Sequence, residues 1–312
     1  DGGARWVSIR NNMPPAPVRD IVIHPRDNDI IVATHGRGIY ILDSASAFQE
    51  LGRAMKTDAY LFPVRPAIRW AGGGGMSRSN PRDWIAPNPP AGAYFDVYFK
   101  TAPAEPVVVT VTDKAGNAVR TIRNARIGSG VTRIVWDLRH DNPSAPTAGG
   151  ARGGAGGGRQ AGPPGAEDVP AEARGRGGAG SGPAALPGDY TVKVKAGARE
   201  LTGTVRLTLD PDAQTTPADL QAQLDASLGM LALSARVNTI IERVDDLTTQ
   251  LTALDAVLAR PAAPSATVRA SIRLALDKLK AFRDDELARP LPGLGYRQYP
   301  RLREEVQTVS GM

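Results

Sequence analysis

The chain has 312 residues, with 34 glycines, 26 prolines and no cysteine. That length suits two or three domains, and the lack of thiols excludes disulfides and thiolate metal sites. The net charge of +6 comes from dispersed arginines; without a basic helix or a Lys/Arg run with interleaved aromatics it argues against nucleic acid as a partner, and no apolar stretch approaches the roughly 20 residues of a membrane span.

The chain opens with Asp1-Gly2-Gly3-Ala4-Arg5-Trp6. Asp1, Gly3 and Trp6 fit the later positions of an Asp box, Ser/Thr-x-Asp-x-Gly-x-x-Trp. In such a turn the Asp closes a hairpin through backbone N–H groups, the Gly takes the left-handed position and the Trp covers it. The opening Ser/Thr would precede residue 1, so the chain is expected to start inside the motif. Trp6–Arg10 reads as a strand, and Asn11–Pro17 as a crossing segment. Next come three short strands rich in Val and Ile, Val18–His24, Asp29–Thr34 and Ile39–Asp43. Pro25-Arg26-Asp27-Asn28 makes the first reversal and His35-Gly36-Arg37-Gly38 the second. A meander this short cannot bury its own faces, so it must belong to something larger.

Asp1-Gly2-Gly3…Trp6 followed by the run VRDIVIHPRDNDIIVATHGRGIYILD resembles the final blade of bacterial BNR/Asp-box β-propellers of the sortilin-like (VPS10-type) "glycosyl hydrolase" group. The later NPPAGAYFDVYFK and VTDKAGNAVRTI look like segments that follow the propeller in such proteins. The resemblance covers about the first half of the chain. It implies a secreted or periplasmic bacterial protein whose other blades lie upstream. It also implies that Asn11–Pro17 and the His35–Gly38 turn share the face on which propellers usually bind ligands.

Ser44 is a candidate cap for a helix over Ala45–Met55. Residues 61–91 read as a linker, extended around Pro63 and Pro66 and then a long Gly/Pro/Asn loop. From residue 92 to 210 the spacing predicts a β-sandwich of immunoglobulin-like or fibronectin-like kind. Its strands are Ala93–Lys100, Val107–Thr112, Ala118–Arg123, Thr132–Leu138, Asp189–Lys195 and Leu201–Leu209, with Trp136 in the core. Residues 143–187 interrupt it with Gly, Ala, Pro and Arg, a composition expected to stay disordered. Arg152-Gly153-Gly154 and Arg174–Gly178 resemble RNA-binding RGG segments but lack aromatics to stack on bases. Residues 211–312 read as a helical hairpin or bundle. Thr216 is the N-cap, with Pro217 and Asp219 in the first turn. Met230, Leu233, Val237, Ile240, Val244, Leu247, Leu251, Leu254 and Leu258 form a heptad seam. Ser265 would cap a second helix antiparallel to the first, and Arg301–Val309 would begin a third.

Candidate chemistry is sparse. His35 and Arg37 could grip a sugar hydroxyl or a carboxylate, or merely decorate a hairpin turn. Trp70, Trp84 and Tyr94 could form a sugar-stacking platform, or pack one domain on the next. Asp20, His24, Asp27, Asp29 and Asp43 offer no assignable pair for a glycosidase and read as residues that tie turns together. No dinucleotide, phosphate-loop, His-Glu-x-x-His or Gly-x-Ser-x-Gly motif is present, so no catalytic residue, cofactor or metal is assigned. The reading is therefore a mainly β chain with an α C-terminus: the end of a propeller over residues 1–60, a sandwich and a helical hairpin. Its function would be that of a non-catalytic glycan- or peptide-binding or scaffold portion. The alternative is a fragment of a glycoside hydrolase, sialidase-like or glucanase-like, whose site lies mostly in upstream blades.

Overall fold

The structure is a computed structural model. It describes residues 3, 4, 6, 8, 13–70, 91–125, 127–142, 182–259, 266–290 and 298–310. The protein is mixed, mostly sheet, with a helical C-terminal region. It folds as two compact units. Among the described residues the first holds those up to Leu138 and 187–213, and the second holds the rest.

The first unit opens with β1 (Val18–Ile23), β2 (Ile30–Thr34) and β3 (Ile39–Leu42), an antiparallel sheet in the order β1-β2-β3. Val and Ile dominate the sheet, so both faces are largely apolar, with Asp20 beside Ala33 at the rim of one of them. Register puts Ile21, Val32 and Tyr40 on one face beside Ile23, Ile30 and Leu42. The other face carries Val22, Ile31 and Ile41 beside Ala33 and Ile39. Neither face is covered: Ile21 is 60% exposed, Ile39 70% and Ile41 59%. Gly36 and Gly38 take φ of +69° and +87° in the second reversal, where a side chain would be strained.

Helix α1 (Ser46–Ala54) follows. It starts one residue later than the sequence suggests, and Ser44 is not its cap. Ser44 sits at φ +56°, and its N–H donates to Asp29 Oδ1 at 2.7 Å. Two short strands absent from the sequence reading follow, β4 (Ala59–Leu61) at the start of the expected linker and β5 (Ala67–Arg69) within it. Three residues are too few to show a period; these strands exist because distant partners hold them. Ala59 pairs with Phe99 and Ala67 with Leu207.

The remaining strands are β6 (Ala93–Phe99), β7 (Val107–Thr112), β8 (Ala118–Ala125), β9 (Gly130–Trp136), β10 (Gly188–Ala196) and β11 (Arg199–Leu209). They form a five-stranded sheet, β5-β11-β10-β7-β8, and a three-stranded one, β4-β6-β9. Val107, Val109 and Val111 are buried while their alternates are not. Tyr190, Val192 and Val194 repeat the pattern on β10, as a half-buried strand should. Trp136 is fully buried. Its ring meets Tyr190 edge-on, with centroids 5.1 Å apart, which ties the smaller sheet to the larger. The Trp136 carbonyl lies so close to Gly92, at φ +146°, that a Cβ there would stand 2.2 Å from it.

In the second unit, α2 (Pro217–Leu258) begins with a capping box: Thr216 Oγ1 accepts from the Asp219 N–H, and Asp219 reaches back to the Thr216 N–H. Helix α3 (Ala266–Ala281) runs into a π-helical turn, Phe282–Leu287, and α4 (Leu302–Ser310) follows. Arg269 pairs with Asp255 at 3.0 Å and Arg283 with Asp245 at 2.6 Å. As α3 advances, its partners on α2 recede, so the two helices run antiparallel. Only one row of the heptad seam is covered. Val237 and Val244, with Ile241, pack on Leu287 and Ala288, whereas Leu233, Ile240, Leu247 and Leu254 stay exposed. Spacings of three and four reveal the helix but not which adjacent row meets a partner. The second unit also contains a bridge between Arg139 and Ala184, with His140 N–H donating to the Pro183 carbonyl. The rest of the expected insertion, 143–181, and Ser265 lie outside the described residues.

Candidate functional site

The expected ligand turn is held by its own backbone. Thr34 N–H and Oγ1 both donate to the Gly38 carbonyl, at 3.1 and 2.6 Å. His35 N–H donates to the Pro17 carbonyl at 2.9 Å, so the end of the crossing segment lies beside the turn. His35 and Arg37 are exposed to solvent. In the Asp-box segment, Gly3 has φ +88° and the Trp6 indole lies over it, 3.7 Å from where a Cβ would stand. Asp1 lies outside the described residues.

Of the expected aromatic platform, Trp70 and Tyr94 are described. Trp84 lies outside the described residues, and Trp70 is exposed. Tyr94 is buried on β6, with the guanidinium carbons of Arg65 and Arg133 5.0 and 4.7 Å from its ring centre. A sugar cannot stack on a ring so enclosed.

Sequence reading misses the arginines around this tyrosine. Arg133 on β9 grips Asp96 on β6 with two bonds, Nε to Oδ1 at 2.8 Å and Nη2 to Oδ2 at 2.9 Å. The Arg133 Nη2 also donates to the Asp43 carbonyl at 3.1 Å. Arg65 donates to the Asp27 carbonyl at 3.3 Å and approaches Asp29 Oδ1 at 3.5 Å. Asp27 itself lies bidentate against Arg26, whose hydrogen bond holds its carboxyl below the usual carboxylate range. Asp27 and Asp29 thus tie the β1–β2 turn to the chain around it, while exposed Asp20 only accepts from the neighbouring Ile21 N–H. Partners that lie 36 to 38 residues apart here, and 90 for Arg133 and Asp43, leave no local signature.

Asp43 differs. Burial, then the neighbouring Asp29 charge, pushes its carboxyl above the usual value against the pull of Arg133 and Arg65. It lines a groove of about 470 Å³ together with Asp96 and Arg133. Ile41 and Leu42 at the end of β3, Phe48 and Leu51 of α1, and Val131 of β9 supply the apolar wall. Asp96 is already committed to Arg133, so the groove presents one carboxylate without a fixed cation. One such group can anchor a cation; a glycosidase needs two.

No group of three or more His, Asp or Glu among the described residues could hold a metal ion. No described helix is long and apolar enough to cross a membrane. Comparison with known proteins matches the chain to no family model and to no curated protein.

Proposed function

We propose that β1–β3 is a blade at the end of an Asp-box propeller, and that this chain serves as a non-catalytic binding or scaffold portion directed at glycan or peptide. One observation carries the reading. The three-stranded sheet is largely apolar on both faces, and large apolar side chains stand open on each. Apolar residues left open on both faces mark contact surfaces, as where blades in a propeller cover one another. The Gly3–Trp6 packing supports the Asp box. On the same reading the five- and three-stranded sheets joined through Trp136 and Tyr190 form an immunoglobulin-like or fibronectin-like sandwich, and the intact protein is extracellular or periplasmic. The glycoside-hydrolase alternative draws little from the groove, where Asp43 has no carboxylate partner free to act with it.

A glycan array probed with a longer protein carrying the neighbouring blades tests the ligand class. Binding that is lost on replacing His35 and Arg37 supports glycan recognition at that turn. No binding to any sugar, with retained binding to a peptide library, assigns a peptide partner. Hydrolysis of a glycoside by the longer protein would overturn the non-catalytic reading.

A further inference from the structure

Helix α2 carries an apolar row that its own bundle leaves open. Leu233, Ile240, Leu247 and Leu254 recur every seven residues and are between 38% and 48% exposed. At 1.5 Å per residue the row runs for about 32 Å. A surface helix ordinarily turns one apolar stripe to its core and polar residues to solvent. Here Val237, Ile241 and Val244 already fill that role against Leu287 and Ala288. The second row is surplus to the bundle, and an apolar patch of this kind marks a contact surface.

The flanks of the row define what fits it. Successive helical residues turn by about 100°. Ile241 and Val244 therefore lie on one side of the row, the side already covered, and Arg243 and Asp246 lie on the other. Both charged residues are exposed, and neither side chain has an ion-pair or hydrogen-bond partner among the described residues. The row is also symmetric about the point midway between Ile240 and Leu247. An antiparallel second copy turned about that point sets Leu233 against Leu254 and Ile240 against Leu247. The same turn keeps the two charged flanks side by side. Arg243 of one copy comes level with Val244 of the other, about 3 Å along the axis from its Asp246. Two Arg–Asp pairs then close the flank, one on each side of the midpoint. A parallel pair in register would instead set Arg236 on Arg236 and Arg243 on Arg243, a repulsive arrangement.

From the open row and the charges beside it we infer that α2 is a dimerisation helix, pairing antiparallel with α2 of a second copy of this chain. Such a contact is isologous: one patch serves both copies and no open end remains. The partners of α2 within its own bundle lie on the opposite flank, so pairing leaves each bundle intact. The inference stands apart from the propeller reading, which concerns residues 1–60.

Sedimentation of the whole chain over about 1 to 100 μM tests it, and a reversible monomer–dimer equilibrium is the expected result. Replacing Ile240 and Leu247 together by Gln alters four contact side chains per dimer and should weaken pairing about a hundredfold or more. Helical dichroism checks that this variant keeps its fold. Arg243→Asp or Asp246→Arg alone should weaken pairing about tenfold. The double exchange rebuilds both ion pairs with their signs reversed, and should return affinity to within about threefold of the parent. The chain has no cysteine, so Ala232→Cys and Thr239→Cys each accept a single nitroxide. Between antiparallel copies the labels should stand about 35 Å apart along the axis at the first position and about 14 Å at the second. The charge exchange and the label distances do not depend on how the Gln variant folds. A chain that stays monomeric across the concentration range overturns the inference. So does a dimer that survives the Gln replacements, a double exchange that fails to rescue the single ones, or equal label distances at the two positions, which mean a parallel pair.

Discussion

Replacing Arg133 by Met tests the energetics of the polar network that joins β3 to the smaller sheet. The guanidinium makes two bonds to Asp96 and one to the Asp43 carbonyl, and lies over Tyr94. The Asp96 side chain is 10% exposed and that of Arg133 32%. Deleting the cation leaves a nearly buried carboxylate without its partner, which costs about 3–5 kcal/mol when both groups are buried. Partial exposure of the arginine puts the expected loss at the lower end, about 3 kcal/mol. Asp96→Asn alone should cost less, and the double variant should fall short of the sum by about 2 kcal/mol, since neighbours in one network are not additive. Urea denaturation followed by tryptophan emission suits the measurement, because Trp136 is fully buried whereas Trp6 and Trp70 are exposed. A loss under about 0.5 kcal/mol, or strict additivity in the cycle, would refute the reasoning.

Further expectations concern other parts of the chain. Asp43→Asn should stabilise the protein at neutral pH. The folded carboxyl binds its proton more tightly than the unfolded one, so the native state loses stability as pH rises from the ordinary carboxylate value of about 3.9 through the raised one. The gain from Asn should fade below that window, and melting curves from pH 3 to 8 would record it; a destabilised variant at pH 7 would contradict it. Gly92→Ala should cost about 3 kcal/mol or more through the clash with the Trp136 carbonyl and a left-handed φ, as read by the same urea series. Thr216→Ala removes the capping bond of α2 and should lower helix stability by about 1 kcal/mol, measurable by far-ultraviolet dichroism.

Much of the β1–β3 sheet is legible in the sequence because Val and Ile runs are punctuated by His-Gly-Arg-Gly and Pro-Arg-Asp-Asn. Two strands of the five-stranded sheet are legible for a related reason, the alternation of Val107–Thr112 and Asp189–Lys195. What escapes is whatever depends on contacts far apart in sequence. Strands β4 and β5 have three residues each and take their shape from Phe99 and Leu207. The Arg65–Tyr94–Arg133 cluster has no spacing to recognise; Tyr94 reads as a sugar platform because a sequence cannot say that arginines already occupy its surroundings. Ser44 reads as a helix cap because Ser before a helical run usually is one, yet Asp29 captures its N–H from 15 residues away. The groove carboxylate of Asp43, the one that Arg133 does not grip, shows only when α1 and β9 are brought against the end of β3.

Carbene footprinting of Ile21, Val22, Ile39 and Ile41 in dilute, monomeric protein probes the open blade most directly. Heavy labelling of residues from both faces in this chain, falling sharply in a longer protein that supplies neighbouring blades, is the predicted outcome. Protection of both faces in the isolated monomer would mean that the sheet is already covered by its own chain, and would contradict the account.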